Sequence, residues 1–449
     1  MFTNIKLKNF KSFKDVEINM QSKKKDSKPL VVVYGINGSG KTTISQAFLT
    51  LKRTMETMQY KVLLKDLLDE KITPPEEVPL KPEIMLQILK SQFSKNGVES
   101  IIDEYKMIDS GENLSLEFEF MINGNPGSYY IEMDSSNIVK ERLEYKLSKN
   151  RGCYFHIDED EVHINDRIFE SKEFWDNMYN QVQMYWGKHS FLSILVYEMM
   201  DKSDTYINSN ISMSLMDLLL AFEQVNYKVK RTPDGESISL GTEDRILANL
   251  VNGTIDKKSL NHLTEVEEVL NNFFVSLFDD VIKAYYKTVE EKGHVKYNLY
   301  LKKQIENHIF DIDFHLESNG TQEILGLVPY IMLAISGKCV VIDEYGIGIH
   351  DLLAAKLIAA VSDQIKGQLI ITTHNTMIMD QANLKPESLY FIMNDKTLRK
   401  SVKCVTEVEK RLHPNYNYRN RYLSNSLYED SLPKVKGNIE VKGLAELYK

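Results

Sequence analysis

Hydrophobic and polar residues alternate at the start of the chain. Ile5-Lys6-Leu7-Lys8-Asn9-Phe10 and Val16-Glu17-Ile18-Asn19-Met20 both carry a period of two. Successive side chains of a strand point to opposite faces, so each run predicts a half-buried strand, and together they predict a hairpin-like pair. Leu30-Val31-Val32-Val33-Tyr34 has almost no polar position and predicts a strand covered on both faces. Residues 44–107 then read as mostly helical, interrupted by the proline-rich stretch Thr73 to Pro82. Strict alternation from Leu114 to Phe120, a turn signal at Asn123-Gly124 and further strand patterns at Tyr129 to Met133 and Ile138 to Lys146 predict an antiparallel region.

From Ser171 to Ile282 the pattern is helical and variable in polarity, with clear apolar faces at Leu215 to Val225 and Ser259 to Ile282. Thr232-Pro233-Asp234-Gly235 marks a loop. No heptad pattern persists over several repeats, which argues against a very long coiled coil. Strand-like alternation returns at Val295 to Leu301 and Phe310 to Leu316. The expectation is an α/β fold with a mixed sheet, N-terminal antiparallel strands and a helical insertion. Four regions follow: a first lobe at 1–150, a mainly helical insertion or arm at 151–294, a second lobe at 295–400, and a tail at 401–449 suited to a partner contact.

The composition changes this picture little. The chain has 449 residues, of which 43% are hydrophobic and 27% charged, which is ordinary for a soluble globular protein with two or three domains' worth of core. No apolar run approaches the length of a membrane span. The N-terminal residues lack the apolar core and cleavage site of a signal peptide. Cys153, Cys339 and Cys404 have no paired spacing, which speaks against a disulfide framework and a zinc site and for a reducing, cytoplasmic setting. A net charge of −9 weakens a role in wrapping nucleic acid, although a local basic patch could still bind it. Lys23-Lys24-Lys25 reads most simply as a solvated turn.

The chemistry enters after the apolar strand at 30–34. Gly35-Ile36-Asn37-Gly38-Ser39-Gly40-Lys41-Thr42 is a phosphate-binding loop of the form G-x-x-x-x-G-K-[ST]. The pattern implies a nucleoside triphosphate with Mg²⁺ as the ligand. Gly35, Asn37, Gly38, Ser39, Gly40, Lys41, Thr42 and Thr43 are the candidate nucleotide contacts. Glycines let the backbone turn and aim N–H groups at phosphate oxygens, Lys41 can reach the β- and γ-phosphates, and the Thr42 hydroxyl can take a place on Mg²⁺. A helix beginning near Gly40 adds its positive dipole end.

Such a loop needs an acid on another strand. Lys338-Cys339-Val340-Val341-Ile342-Asp343-Glu344 predicts a buried parallel strand ending in two carboxylates. Asp343 is the candidate metal ligand and Glu344 the candidate base for an attacking water. Gln368-Leu369-Ile370-Ile371-Thr372-Thr373-His374-Asn375 is a second buried strand ending in a polar turn, from which His374 could bond the γ-phosphate or that water. Before the Asp343 strand, Glu317-Ser318-Asn319-Gly320-Thr321-Gln322 leads into an apolar helix from Ile324 to Ile335. Small hydroxyl-bearing residues at a helix start make another phosphate-binding end. One site already has its cradle at 35–42, so Ser318, Gly320 and Thr321 suggest service to the nucleotide of another subunit.

Phosphate loop, late Ser-x-Gly-Thr helix start, Asp-Glu strand and Thr-His turn, in this order around a helical insertion, resemble the ABC-type ATPase heads, and more closely the SMC, RecF and OLD group. Asn9-Phe10-Lys11-Ser12-Phe13 resembles that group's N-F-[KR]-S-F opening. Glu317 to Thr321 resembles its E-S-x-G-T signature, and Asp343-Glu344 followed by His350 its D-E-x(5)-H phrase. Ile138 to Leu143 resembles a strand of the AAA-type ATPases of bacterial defence and abortive-infection loci.

The resemblance implies a homo-oligomer whose heads share ATP sites. Lys41 and its loop hold the phosphates, Ser318 and Gly320 of another copy cap them, Asp343 supports Mg²⁺, Glu344 serves the water and His374 senses the γ-phosphate. Such heads commonly hydrolyse ATP slowly and act as switches. Two departures stand out. Tyr345-Gly346-Ile347-Gly348-Ile349 is glycine-rich where relatives often carry Ser-Ser or Ser-Ala. The metal-coordinating glutamine that usually follows the first helical stretch has only Gln59 as a candidate.

OLD nucleases carry a Toprim nuclease domain after the ATPase, and the fifty or so residues after the last ATPase strand show no pattern for one. The leading expectation is therefore an anti-phage regulatory ATPase acting on a separate effector, such as a Toprim nuclease resembling that of the PARIS system. The alternatives are a RecF- or SMC-like DNA-repair or DNA-tethering ATPase and a small-molecule kinase. The segment His413 to Tyr422, rich in arginine and tyrosine, suits a surface tail, a protein contact or stacking on single-stranded nucleic acid.

Overall fold

The computed structural model describes residues 1–59, 97–200, 202–231, 235–242, 244–291, 293–381, 384–408 and 417–424. The expected proline-rich interruption at 73–82 and most of the loop at 232–235 lie outside them. In chain order the strands are β1 (Phe2–Phe10), β2 (Phe13–Asn19), β3 (Leu30–Tyr34), β4 (Leu114–Ile122), β5 (Asn125–Met133), β6 (Ile138–Leu147), β7 (Asn150–Asp158), β8 (Val162–Ile164) and β9 (Val225–Arg231). They continue as β10 (Gly235–Ser239), β11 (Asn252–Asp256), β12 (Val281–Glu291), β13 (His294–Ile305), β14 (His308–Asp313), β15 (Cys339–Ile342), β16 (Gln368–Thr372), β17 (Leu389–Asn394) and β18 (Lys400–Cys404).

They form three sheets. The first is antiparallel, in the order β2-β1-β4-β5-β6-β7-β8. Its hairpins include the expected Asn123-Gly124 turn, where both residues take positive φ (49° and 71°), as the twist of a tight hairpin requires. The second sheet runs β10-β9-β15-β16-β3-β17-β18. Its five inner strands are parallel and its two edges antiparallel. The third is a smaller antiparallel sheet in which β13 pairs with β12 on one side and with β11 and β14 on the other.

The inner strands of the second sheet are apolar at nearly every position because both faces are covered. Val31, Val33, Cys339, Val341, Ile370, Tyr390 and Ile392 point into one core, which also holds the first sheet. Leu30, Val32, Tyr34, Val340, Ile342, Leu369, Ile371, Leu389 and Phe391 point into another, covered by the helices Asn319–Ile335 and Asp351–Val361. The helix Lys41–Glu56 lies between the first two sheets and has 13 buried positions out of 16 residues. Its Phe48 ring meets Phe2 at 5.2 Å and Phe118 at 5.9 Å. Buried Gln368 staples the sheets together: its Nε2 donates to the Phe2 carbonyl (2.8 Å) and its Oε1 accepts from the Phe2 N–H (2.9 Å).

The middle of the chain is less helical than its pattern suggests. It holds the helices Lys172–Tyr185, Phe191–Met199, Asp204–Asn210, Met213–Glu223 and Leu260–Leu277. It also supplies β9 and β10 to the second sheet, and β11 and β12 to the third. The helical run expected to reach Ile282 ends at Leu277, and β12 begins at Val281. The first sheet extends past 150, to Ile164, and the second past 400, to Cys404. Among the described residues no helix is long and apolar enough to cross a membrane.

One buried carboxylate ties the first sheet to the helical layer. Glu141 on β6 is fully buried and accepts from the Tyr129 hydroxyl (2.9 Å), the Trp186 Nε1 (3.0 Å) and the Phe191 N–H (2.7 Å). Burial raises its carboxyl to about 7, against those hydrogen bonds, which lower it. The native state therefore holds a proton that the unfolded chain releases at lower pH. This contribution is full below the unfolded value near 4.5 and lost as pH rises to about 7. Glu141→Gln, isosteric with the protonated acid, is expected to gain about 2.5 kcal/mol on the unmodified chain between pH 5 and pH 8, as urea denaturation at the two pH values would measure.

Candidate nucleotide site

The parallel register delivers the predicted site residues to one edge. Val33 of β3 pairs with Thr372 of β16, Ile371 with Ile342 of β15, and Ile342 with Lys228 of β9. The carboxyl ends of four strands thus open side by side, the usual place for a ligand in a parallel sheet. The loop 35–40, the acids 343–344 and the turn 373–375 all leave from this edge.

The loop needs its glycines. Gly38 and Gly40 take φ of 75° and 115°, conformations that side chains disfavour. A Cβ on Gly40 would lie 2.6 Å from Phe13 Cε1, and one on Gly35 would lie 2.4 Å from Ser39 Oγ. The helix Lys41–Glu56 starts immediately afterwards, with Gly40 as its N-cap. The Lys41 ammonium donates to the carbonyls of Gly35 (2.7 Å) and Ile36 (3.2 Å). Burial lowers it to about 8, while Asp343 and then Glu344 pull it back upward.

Asp343 is 6% exposed. Its Oδ1 accepts from the Thr372 hydroxyl (2.5 Å) and the Ser45 hydroxyl (3.4 Å), whereas its Oδ2 is buried without a hydrogen-bond partner. Burial raises its carboxyl, countered by hydrogen bonding to Thr372 and Thr42. An unpartnered carboxylate oxygen beside the Thr42 hydroxyl fits Mg²⁺, a hard cation that takes one or two protein oxygens together with phosphate and water. When bound, the ion would neutralise phosphate charge, with Thr42 and Asp343 holding it.

Glu344 takes φ 53° in the turn after β15. Its backbone N–H donates to the Thr372 hydroxyl (2.9 Å), so Thr372 joins both acids to the next strand. Its carboxylate pairs with Lys230 of β9. His374 is exposed at the end of β16. Burial and then the charge of Lys41 hold its imidazole below the ordinary value, against the pull of Glu344 and Asp343. It is therefore neutral near pH 7, able to donate from one ring nitrogen and accept at the other.

Ser318 caps the helix Asn319–Ile335: its Oγ accepts from the Thr321 N–H (3.2 Å) and meets the Thr321 hydroxyl at 2.9 Å. Among the described residues no hydrogen bond links Ser318, Gly320 or Thr321 to the loop 35–43. Gly320 lies instead against the turn after Glu344, where a Cβ would come within 2.9 Å of the Gly348 carbonyl. The glycine-rich phrase 345–349 thus has a local purpose, since Gly346 and Gly348 both take positive φ (86° and 76°).

Gln59 does not join the site. The helix from Lys41 to Glu56 spans about 24 Å, and Gln59 lies past its far end, next to Met58, whose N–H donates to Ser193 Oγ (2.8 Å). The structure places Lys228 and Lys230 where sequence reading had assigned nothing. Lys228 pairs with Glu323 of the capped helix (2.8 Å), and both lysines line a cleft of ≈ 440 Å³ with Glu323, Asp343, Glu344 and Ile347. The signal was the alternation Val225-Asn226-Tyr227-Lys228-Val229-Lys230, hidden behind a helical run. The helix Tyr418–Leu423 also packs at this edge. Tyr422 lies 6.0 Å from the Tyr34 ring and 5.4 Å from that of Phe391, and Arg419 reaches the Thr376 hydroxyl (3.2 Å) and Asp380 (2.9 Å). The preceding 413–416 lie outside the described residues.

A glycine loop between a buried strand and a helix, with an acid pair one strand beyond its neighbour, defines a P-loop ATPase domain in a mixed α/β fold. The family described as the AAA ATPase domain matches residues 1–379, and the chain belongs to it. Among curated proteins none matches the sequence. Among solved structures, the Smc head domain with an extended coiled coil bound to the C-terminal domain of ScpA, from Pyrococcus furiosus, aligns over 91% of this chain and 98% of its own. The identity is 14% and the TM-score 0.37, too low to transfer any detail.

Gly40→Ala is expected to push Phe13 aside and strain the helix start, costing about 1–3 kcal/mol and at least roughly tenfold in nucleotide affinity. Urea denaturation and titration with a fluorescent ATP analogue would measure both.

Proposed function

We propose that the chain is an ATP-hydrolysing switch that closes into a homo-oligomer through shared ATP sites. It would regulate a separate effector, such as a Toprim nuclease, in bacterial anti-phage defence. The observation that carries the assembly is the exposed, capped start of the helix Asn319–Ile335, which makes no hydrogen bond to the loop of its own chain. Helix N-termini favour anions, and this one is free to meet the γ-phosphate held by another copy. Lys41 and the loop amides hold the triphosphate. Glu344 receives the proton of the attacking water, His374 bonds the γ-phosphate, and Thr42 and Asp343 hold Mg²⁺. The defence role rests on the likeness of Ile138 to Leu143 to a strand of the ATPases of defence loci.

A second reading, DNA tethering, has one observation in its favour. The face of the third sheet turned away from its helix carries Lys283, Tyr285 and Lys287 on β12 beside Lys302, Tyr300 and Lys296 on β13. The two tyrosine rings lie 6.0 Å apart, with Lys287 over Tyr300. Aromatic rings among lysines suit single-stranded nucleic acid, although Lys283, Lys296 and Lys302 already have the carboxylate neighbours Glu267, Glu291 and Asp311.

Glu344→Gln is expected to retain ATP binding, slow hydrolysis by about 10²–10⁴-fold and accumulate the closed oligomer in light scattering with Mg·ATP. Ser318→Arg should bind ATP yet stay monomeric. Unchanged hydrolysis by Glu344→Gln rules out the assigned base, and a Ser318→Arg chain that still assembles rules out the shared site. Protection from phage that depends on a co-expressed neighbouring gene would support the defence role. ATP-stimulated, salt-sensitive binding to single-stranded DNA would favour the second reading.

A further inference from the structure

A second lysine touches the phosphate loop from outside. Lys400, on β18, donates from Nζ to the Gly38 carbonyl at 3.0 Å. The fold brings it there by register: Phe391 of β17 lies beside Tyr34 at the end of β3, and Asn394 of β17 pairs with Lys400. Its ammonium also lies 5.9 Å from the centroid of the Phe13 ring, whose edge bears on Gly40. Phe13 and Lys400 together form an outer wall against the loop. The wall is braced by an ion pair between Arg399 and Asp15 (3.1 Å) and by Asp395, which accepts from the N–H groups of Thr397 and Arg399.

Lys400 is partly buried, and burial lowers its ammonium below the usual value. Among the described residues no carboxylate pairs with it. Partial desolvation without a counter-ion disfavours the cation unless another group meets it. Here it meets the dipole of one carbonyl in a loop that receives a polyphosphate.

In a trans peptide the C=O and the following N–H point in opposite directions. A donor that fixes the Gly38 carbonyl outward therefore aims the Ser39 N–H inward. In this structure that N–H points back across the loop to the Ile36 carbonyl (3.2 Å), the same carbonyl that receives the Lys41 ammonium. Gly38 has no side chain and takes φ 75°, so its peptide is held by the Ser39–Ile36 hydrogen bond on one side and by Lys400 on the other.

We propose that Lys400 is a positioning residue for nucleotide binding: it anchors the Gly38–Ser39 peptide so that the Ser39 N–H faces the phosphates. The inference rests on the ATP-binding reading above and adds a determinant that the loop motif does not contain. Lys400→Met keeps the length and apolar stem of the side chain and removes the charged donor. Lys400→Arg keeps charge and donor.

Mg·ATP and ADP binding would be titrated with fluorescent analogues, alongside the melting temperature without nucleotide and the amide resonance of Ser39 in ¹⁵N-serine-labelled protein. Lys400→Met should weaken both nucleotides about tenfold, the value of one charge-assisted hydrogen bond. It should move the Ser39 amide resonance and leave the nucleotide-free melting temperature unchanged. Lys400→Arg should recover most of the affinity. Wild-type affinity in Lys400→Met, an unmoved Ser39 resonance, or no recovery in Lys400→Arg overturns the proposal while leaving the ATP reading intact. An unmodified chain that binds neither nucleotide overturns both.

Discussion

The parallel register of β9, β15, β16 and β3 is the constraint on which the site depends. Side chains alternate along a strand, so a slip of one residue would exchange the faces of every apolar position in that strand. Val31 and Val33 would leave one core and Val32 the other, with the same exchange along β15 and β16. Two buried faces therefore fix the register more firmly than any single contact at the site. Once fixed, it sets the Gly35 loop, the Asp343–Glu344 pair and the His374 turn at one level. Placement of the chemistry follows from hydrophobic burial far more than from polar contacts.

Within that frame Thr372 does the fine positioning. Its hydroxyl donates to Asp343 and accepts from the Glu344 N–H, so one short side chain fixes the metal-ligand candidate and the base candidate relative to β16. The electrostatic state is consistent with a site built for a charged ligand. Burial raises Asp343, lowers Lys41 to about 8 and lowers His374. Each shift disfavours the charged form, and Mg²⁺ with a polyphosphate would reverse the first two by supplying the opposite charge to each.

Elements whose pattern is dictated by burial were legible in the sequence. The strands at 30–34, 339–342 and 368–372 are apolar because both faces are covered, and the phosphate loop and acid pair follow them at the expected places. The first hairpins were legible because one face meets a core and the other meets polar surroundings. Strand β9 was not, since its alternation is short and follows directly on the helix Met213–Glu223. With it went Lys230, whose pairing with Glu344 exists only through strand adjacency across more than a hundred residues. Lys400 was hidden for the same reason. Gln59 does not reach the site because the helix that starts at the phosphate loop carries it to the far end, about 24 Å away.

The glycine-rich turn after Glu344 joins the acid pair to the start of the capped helix. It begins at a residue with φ 53°, passes through two glycines in the left-handed region and ends against Gly320 at the start of the capped helix. The Ile347 N–H closes the turn on the Glu344 carbonyl at 3.2 Å. Close-packed backbone of this kind transmits displacement instead of absorbing it. The Ser318 end of the helix and the short segment that carries Glu344 are thus seated directly against each other, with no room for a Cβ at Gly320. A serine or alanine in place of Gly348 would have to adopt the same left-handed conformation at a strain cost. The departure from Ser-Ser or Ser-Ala phrases thus has a physical basis in how tightly the helix start is seated.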